Sequence, residues 1–345
     1  GRIESESEAA ESSVRVSGPV RHRVHFGAVY QLLQQIADGL PHERVWILLD
    51  EWSEIPIELQ PILADLIKRA LFPLRGITVK IAAIEQRSRF RAQTAGGGYV
   101  GIELGADAAA DIDLDDFMVF GNDEELARSF FAELLHRHVL SALEQRDDVI
   151  VPGSAASFVQ EAFTQRPVFD ELVKAAEGVP RDAINIVSYA ARVADNSAIG
   201  MPNVRQAARR WYLQDKEAAV SANPEARALL NWIIDEVIQG RRARAFLLRQ
   251  GEPMRSDLIR SLYDARVLHV IKKGVSSRDH AGVRFDVYAI DYGCYVELLT
   301  TARAPAGLFE VDGDDVSGFV EVPADDYRSI RRAILDLARF EEERA

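Results

Sequence analysis

The chain has 345 residues, 48% of them hydrophobic and 28% charged, and carries a net charge of −13. That length allows two or three domains and that composition is ordinary for a soluble globular protein, while the acidic balance excludes generic nucleic-acid binding by the molecule as a whole. No apolar run approaches the roughly 18–20 residues needed to span a bilayer, the N-terminus is polar and acidic rather than signal-like, and the single cysteine, Cys294, excludes an internal disulfide or a thiolate metal cluster. The expectation is a chain without membrane attachment in a reducing, cytoplasmic setting. The seven histidines show no zinc-ligand spacing.

Residues 1–23 are rich in Ser and Glu and read as a flexible segment. Over 25–40, Phe26, Val29, Tyr30, Leu32, Leu33 and Ile36 recur at helical spacing, and Gly39 with Pro41 stops the helix. Val45-Trp46-Ile47-Leu48-Leu49 follows at once. Five apolar residues in a row suit a strand buried on both faces of a parallel sheet, and this run ends in Asp50 and Glu51. A helix over 59–71, ended by Pro73 and Gly76, leads to a second buried strand over 77–84, rich in β-branched residues. A loop with Gly96-Gly97-Gly98 leads to a third strand candidate over 99–104. The alternation predicts a doubly wound parallel sheet within 24–116.

From Phe117 the strands stop. Helices are expected over 121–143, capped by Asn122 or Asp123, and over 155–164, 167–176, 181–195 and 203–220, so 117–222 reads as an all-α block. Within 223–302 the order is helix (225–239), strand (244–249), helix (252–265), two hairpin strands (267–272 and 284–290) and a closing helix (292–300). That is the order of a winged helix. Residues 303–345 read as an acidic linker and a charged C-terminal helix.

Four stretches carry candidate chemistry. Asp50 and Glu51 stand at the carboxyl end of a predicted strand, where open α/β sheets bind ligands, and two hard oxygen donors there suit a metal ion and a water-orienting group. The second strand runs into Glu85-Gln86-Arg87-Ser88-Arg89-Phe90-Arg91, a polar and basic tail; guanidinium groups in such a tail suit developing phosphoryl charge. Glu177-Gly178-Val179-Pro180-Arg181-Asp182 opens a helix, with Pro180 where a missing N–H costs nothing. Between Gly240 and Phe285 there are eleven Arg and Lys against four acidic residues, and Arg255, Arg260, Lys272, Lys273 and Arg278 are the best candidates for contact with a phosphate backbone. Each stretch also has a plain reading: solvated charge at a strand end, a basic loop, a capped helix with a surface Arg, and a charged face that meets protein. Gly96–Gly98 precedes a strand rather than following one, so it is no phosphate loop. His136 and His138 lie two apart on a helix and do not face one metal.

Taken in order, these elements resemble an AAA+ ATPase of the P-loop class, closest to the origin-recognition initiator-like branch or its STAND signalling relatives. The resemblance implies a partial α/β parallel-sheet P-loop NTPase core, an all-α lid and a winged-helix domain. It implies ATP and Mg²⁺ as cofactors, with Asp50 holding the metal through water and Glu51 polarising the attacking water. By position, Gln86 or Arg87 resembles the sensor 1 residue, with Glu85 a weaker choice. Arg89, with Arg91 as a second option, resembles the arginine that reaches a neighbouring subunit's nucleotide. Arg181 resembles the sensor 2 arginine of the lid. It further implies a homo-oligomer or a partner subunit across the nucleotide site, and DNA or protein as the client. The phosphate loop G-x-x-x-x-G-K-S/T does not occur in these 345 residues. The expectation is that it lies upstream in a longer chain or that the module is a degenerate, non-catalytic scaffold. In either case residues 1–345 alone bind ATP weakly or not at all.

Overall fold

The computed structural model describes residues 25–40, 44–108, 112–143, 152–240, 243–250, 257–276, 282–299 and 334–343. Contacts divide the chain into two units, Gly1–Ile112 and Asp113–Ala345. The residues expected to form the all-α block and those expected to form the winged helix belong to the same unit.

In the first unit, helix α1 (Phe26–Asp38) precedes strand β1 (Val45–Leu49), helix α2 (Gln60–Ala70) and strand β2 (Ile77–Ile81). β1 and β2 pair in parallel, with Val45 opposite Ile77 and Leu49 opposite Ile81. Among the described residues this parallel sheet has two strands. The expectation of a third parallel strand over 99–104 is corrected: β4 (Tyr99–Gly101) pairs antiparallel with β3 (Arg91–Gln93) in a separate hairpin. Gly97, at φ 82°, serves the turn of that hairpin, a backbone conformation that favours glycine. Gly101 (φ 111°) has no room for a side chain, since a β-carbon there would lie 2.0 Å from the Phe90 carbonyl oxygen.

The expectation that β1 is buried on both faces is also corrected. Val45, Ile47 and Leu49 are half-buried, but Trp46 is 56% exposed and Leu48 70% exposed. The covered side of the sheet belongs to a core of Trp52, Ala64, Ile67 and Ile102, against which Leu49, Leu63, Leu71, Val79 and Ile81 pack. No described element covers Trp46 and Leu48, and Lys80 lies 5.2 Å above the Trp46 ring. A continuous apolar run therefore behaves here as an alternating one.

In the second unit, α3 (Asp115–Met118), α4 (Glu124–Leu143), α5 (Ala155–Ala162), α6 (Arg166–Ala176), α7 (Pro180–Ala194) and α8 (Met201–Trp211) form the helical part. Asp123 accepts the Leu126 amide at 2.9 Å, and Ser154 and Ser157 close a capping box at the start of α5. The helix expected over 203–220 is interrupted: a π-helical stretch, Tyr212–Lys216, separates α8 from α9 (Glu217–Ser221). A second π-helical stretch, Ile234–Gln239, follows α10 (Pro224–Ile233), whose cap Asn223 accepts the Glu225 and Ala226 amides.

Strand β5 (Ala245–Arg249), helix α11 (Asp257–Asp264), and strands β6 (Leu268–Ser276) and β7 (Arg284–Ile290) come next. They form an antiparallel sheet in the order β5-β7-β6. The helix expected over 252–265 is described only from Asp257, and the greater part of the expected C-terminal helix lies outside the described residues, leaving α13 (Leu337–Glu342). Helix α12 (Tyr292–Leu299) joins two cores. Tyr292 and Val296 pack with Phe131, Phe169, Leu172 and Ile186 of the helical part, while Cys294, Tyr295 and Leu298 pack with Phe246, Ile259, Leu262 and Val287 around the sheet. The approach of α12 to α8 is so close that a β-carbon on Gly293 would sit 2.5 Å from the Ala208 carbonyl oxygen.

One buried side chain organises the first unit. Gln60, 0% exposed, donates to the carbonyls of Ile55 (2.8 Å) and Arg87 (3.0 Å) and accepts the Arg89 amide at 2.6 Å. It thereby fastens the segment after β1 to the segment after β2. Gln60→Ala is expected to destabilise this unit by about 1–3 kcal/mol, the cost of leaving such buried groups unpaired. Urea unfolding measures that loss, and amide exchange at Arg89 reports it locally.

Candidate functional site

The carboxyl ends of β1 and β2 lie side by side, joined by backbone bonds from Ala82 N to Leu49 O (2.8 Å) and from Trp52 N to Ala82 O (3.3 Å). Ser53 continues the seam, its hydroxyl accepting the Ile84 amide at 2.7 Å. Trp52, 1% exposed, stacks on Phe90 with ring centroids 5.0 Å apart. Two apolar anchors and the Gln60 bonds thus hold two polar tails together.

Asp50 and Glu51 occupy the first of these tails, and both are exposed. The Asp50 carboxylate accepts the Glu51 amide at 2.8 Å through Oδ1. Glu51 adopts a left-handed backbone conformation (φ 54°, ψ 36°), unusual for a residue with a β-carbon. Holding it there costs on the order of 1–3 kcal/mol, which the Asp50 bond and the 3₁₀ turn Trp52–Glu54 offset.

The second tail carries the expected sensor and finger residues. Gln86 lies in the 3₁₀ turn Glu85–Arg87, its side chain outside the described residues. Arg87 is half-buried and pairs with Glu54 of the first tail at 3.5 Å, a further link between the two. Arg89 is exposed and is held through its backbone by Gln60. Arg91 belongs to β3, where it pairs with Glu103 at 2.5 Å and lies 5.0 Å from the Tyr99 ring centroid. The fold therefore brings Asp50, Glu51, Arg87 and Arg89 to one end of the parallel pair.

The remaining candidates belong to the second unit. Arg181 is the second residue of α7 and is exposed, with no side-chain ion pair among the described residues. Arg260 on α11 is half-buried and pairs with Asp257 at 3.4 Å. Lys272 is exposed on β6 opposite Val287, and Lys273 lies 3.8 Å from Asp113. Arg255 and Arg278 lie outside the described residues. Asp257 and Asp264 are exposed at the two ends of α11, so the outer face of this helix is not uniformly basic.

The most buried ionic group was almost invisible in the sequence. Lys216 is 1% exposed, and its ammonium reaches Asp182 at 2.7 Å and Asp291 at 2.5 Å, residues that are themselves 0% and 1% exposed. Arg266 reaches Asp182 at 2.9 Å and also bonds Asp215, and His269 lies 3.4 Å from Asp291. Lys216 ends the π-helical stretch, where the wider turn shifts which side chains face inward. Asp182 opens α7 directly after Arg181, and Asp291 joins β7 to α12. The only advance sign was an acid one residue beyond the Gly-Val-Pro-Arg stretch.

Burial works against the Lys216 ammonium, but the two carboxylates outweigh it and hold its pKa above the ordinary 10.5. Burial likewise pushes the Asp291 carboxyl up, and Lys216 with His269 outweighs it, holding the group well below 3.8. Burial raises the Cys294 thiol to about 12, so it is an inert packing group.

The depressed carboxylate contributes stability that is complete above its unfolded pKa and is lost as pH falls through the folded value. The raised ammonium contributes stability that is complete below its unfolded pKa and is lost as pH rises through the folded value. Unfolding free energy of this unit is therefore expected to fall below pH 3.8 and above pH 10.5. Lys216→Met, which takes the shared ammonium from two buried carboxylates, is expected to cost about 3–5 kcal/mol at neutral pH. Urea titrations across pH measure both effects.

Among the described residues no group of three His, Cys, Asp or Glu is placed to hold a metal ion by itself, and no helix is long and apolar enough to cross a membrane. No family model, curated protein or solved structure matches this chain.

Proposed function

We propose that this chain carries the acidic part of the nucleotide site of an AAA+/STAND-type ATPase, a switch that couples nucleotide state to oligomerisation and to the binding of a client. The observation that carries the reading is the acidic pair itself: Asp50 and a conformationally strained Glu51, exposed at the carboxyl end of a parallel strand, beside a second tail bearing Arg87 and Arg89. Strained residues persist where surrounding structure over-determines them, and they cluster at working sites.

Mg²⁺ suits this donor set. It keeps several waters and needs only one or two carboxylates alongside phosphate oxygens, and the Glu51 amide occupies only Oδ1 of Asp50, leaving Oδ2 for the ion or its water. Bound there, the ion would neutralise phosphate charge. Glu51 would orient and polarise the attacking water, Gln86 or Arg87 would sense the terminal phosphate, Arg89 would face a neighbouring subunit's nucleotide, and Arg181 would keep the nucleotide-responsive role that the resemblance implies. The described residues include no strand followed by a Gly-rich loop and a helix, so no phosphate cradle is assigned to them.

The test is ATP hydrolysis by the natural full-length protein. Glu51→Gln is expected to lower kcat at least about 100-fold, the usual scale of a lost general base, with KM little changed. Asp50→Asn, which removes the carboxylate that would hold Mg²⁺, is expected to abolish turnover at ordinary Mg²⁺ concentrations. A wild-type protein without ATPase activity, or Glu51→Gln turning over at the wild-type rate, overturns the reading.

For the client, the side-chain pairing favours protein over DNA. Arg260 and Lys273 are engaged by Asp257 and Asp113, and the outer face of α11 is flanked by acids. Duplex DNA is then expected to bind weakly, with Arg260→Ala and Lys272→Ala changing affinity less than about threefold in a salt titration. Tight binding that these changes abolish would assign the DNA role instead, since each lost phosphate contact reduces the salt slope by about one.

A further inference from the structure

Arg181 stands between two buried acids, and both are gripped by residues from the C-terminal half of the second unit. Glu177, 8% exposed, ends α6 in a left-handed conformation (φ 50°) and pairs with Arg244, which directly precedes β5. Gly178 (φ 77°) turns the corner so tightly that a β-carbon would lie 2.8 Å from the Val119 side chain. Asp182 sits one residue beyond Arg181 and is held by Lys216 and by Arg266, the latter in the turn between α11 and β6 and itself left-handed (φ 58°). Lys216 continues to Asp291 at the end of β7. Among the described residues, four side chains other than glycine have positive φ. One is Glu51 and two, Glu177 and Arg266, belong to this arrangement.

We propose that Glu177 and Asp182, held by Arg244 and by Lys216 with Arg266, form a clamp through which the β5-β7-β6 sheet sets the orientation of Arg181. Arg181 is exposed, and the acids on either side of it are fastened to residues that flank the sheet as well as to the neighbouring helices. A displacement of the sheet by a bound client therefore moves the first turn of α7, and a force on Arg181 travels back along the same ion pairs. The buried charges suit this role because they tolerate few geometries: an ammonium shared by two carboxylates in a dry site loses far more on displacement than an apolar contact does. Lys216, Arg244 and Arg266 are positioning residues; they act through Arg181. The functional half of this inference rests on the reading of Arg181 as a nucleotide-responsive residue.

Two measurements test it. In residues 1–345, Arg266→Ala, whose side chain is 25% exposed, is expected to speed amide exchange over 183–186 by at least about tenfold, the scale of a local opening made easier by one lost contact. Exchange in α4 should stay unchanged, and Arg266→Lys, which keeps a cation beside Asp182, should keep exchange in α7 slow. Unchanged exchange in α7, or a uniform rise that includes α4, overturns the clamp. In the full-length protein, Arg181→Ala and Arg266→Ala are each expected to raise KM for ATP, and the double variant to be no worse than Arg181→Ala alone. Additive effects overturn the transmission through Arg181. If Arg181→Ala leaves KM unchanged, the nucleotide role of Arg181 falls, while the exchange result still decides the clamp.

Discussion

An ammonium shared between two buried carboxylates is the constraint on which the second unit depends. Lys216, Asp182 and Asp291 come from a π-helical stretch, the first turn of α7 and the junction of β7 with α12. Each would be costly to bury alone, and together they are tolerable only in one arrangement. Apolar contacts pull the helices and the sheet together without fixing their register, because Leu and Ile side chains re-pack at modest cost. The ion cluster tolerates fewer geometries than those apolar contacts do. Helix α12, with Tyr292 and Val296 in one core and Cys294 and Leu298 in the other, makes the same join in apolar terms. Gly293 permits its contact with α8.

The first unit solves a similar problem with a neutral group. Gln60 bonds four backbone groups in two tails, and its amide can both donate and accept, which no carboxylate or ammonium does. The outcome is that Asp50, Glu51, Arg87 and Arg89 share one end of the parallel pair although nearly forty residues separate the first from the last. Rigid backbone beneath exposed charged tips is the arrangement a phosphate or metal site needs, since the supporting groups bear the positional burden.

Much of this was legible in the residues themselves. The strands Val45–Leu49 and Ile77–Ile81, the intervening helix and the helical series from Glu124 to Ser221 followed from periodicity, caps and breakers. Asp50 and Glu51 stood out because charge follows an apolar run. What periodicity missed were events at single residues. The π-helical turn before Glu217 leaves no mark in the apolar spacing, and the direction of the short strand at Tyr99 depended on a hairpin partner that 89–93 did not advertise. Arg244, Arg260 and Lys273 read as a basic patch in sequence, yet each has an acidic partner far away or a turn away in the chain.

By itself, then, the sequence determined most of the segments that are helix or strand and which end of β1 bears the acids, because local spacing and backbone preference decide those within a few residues. Only the tertiary structure decided which face of β1 is covered, which charges neutralise one another, and that Glu177 and Asp182 are buried on either side of an exposed Arg181. Those outcomes depend on contacts between residues up to 109 positions apart in one cluster, such as Asp182 and Asp291 through Lys216. Desolvation of a charge is set by everything around it, and no neighbour in the chain announces it.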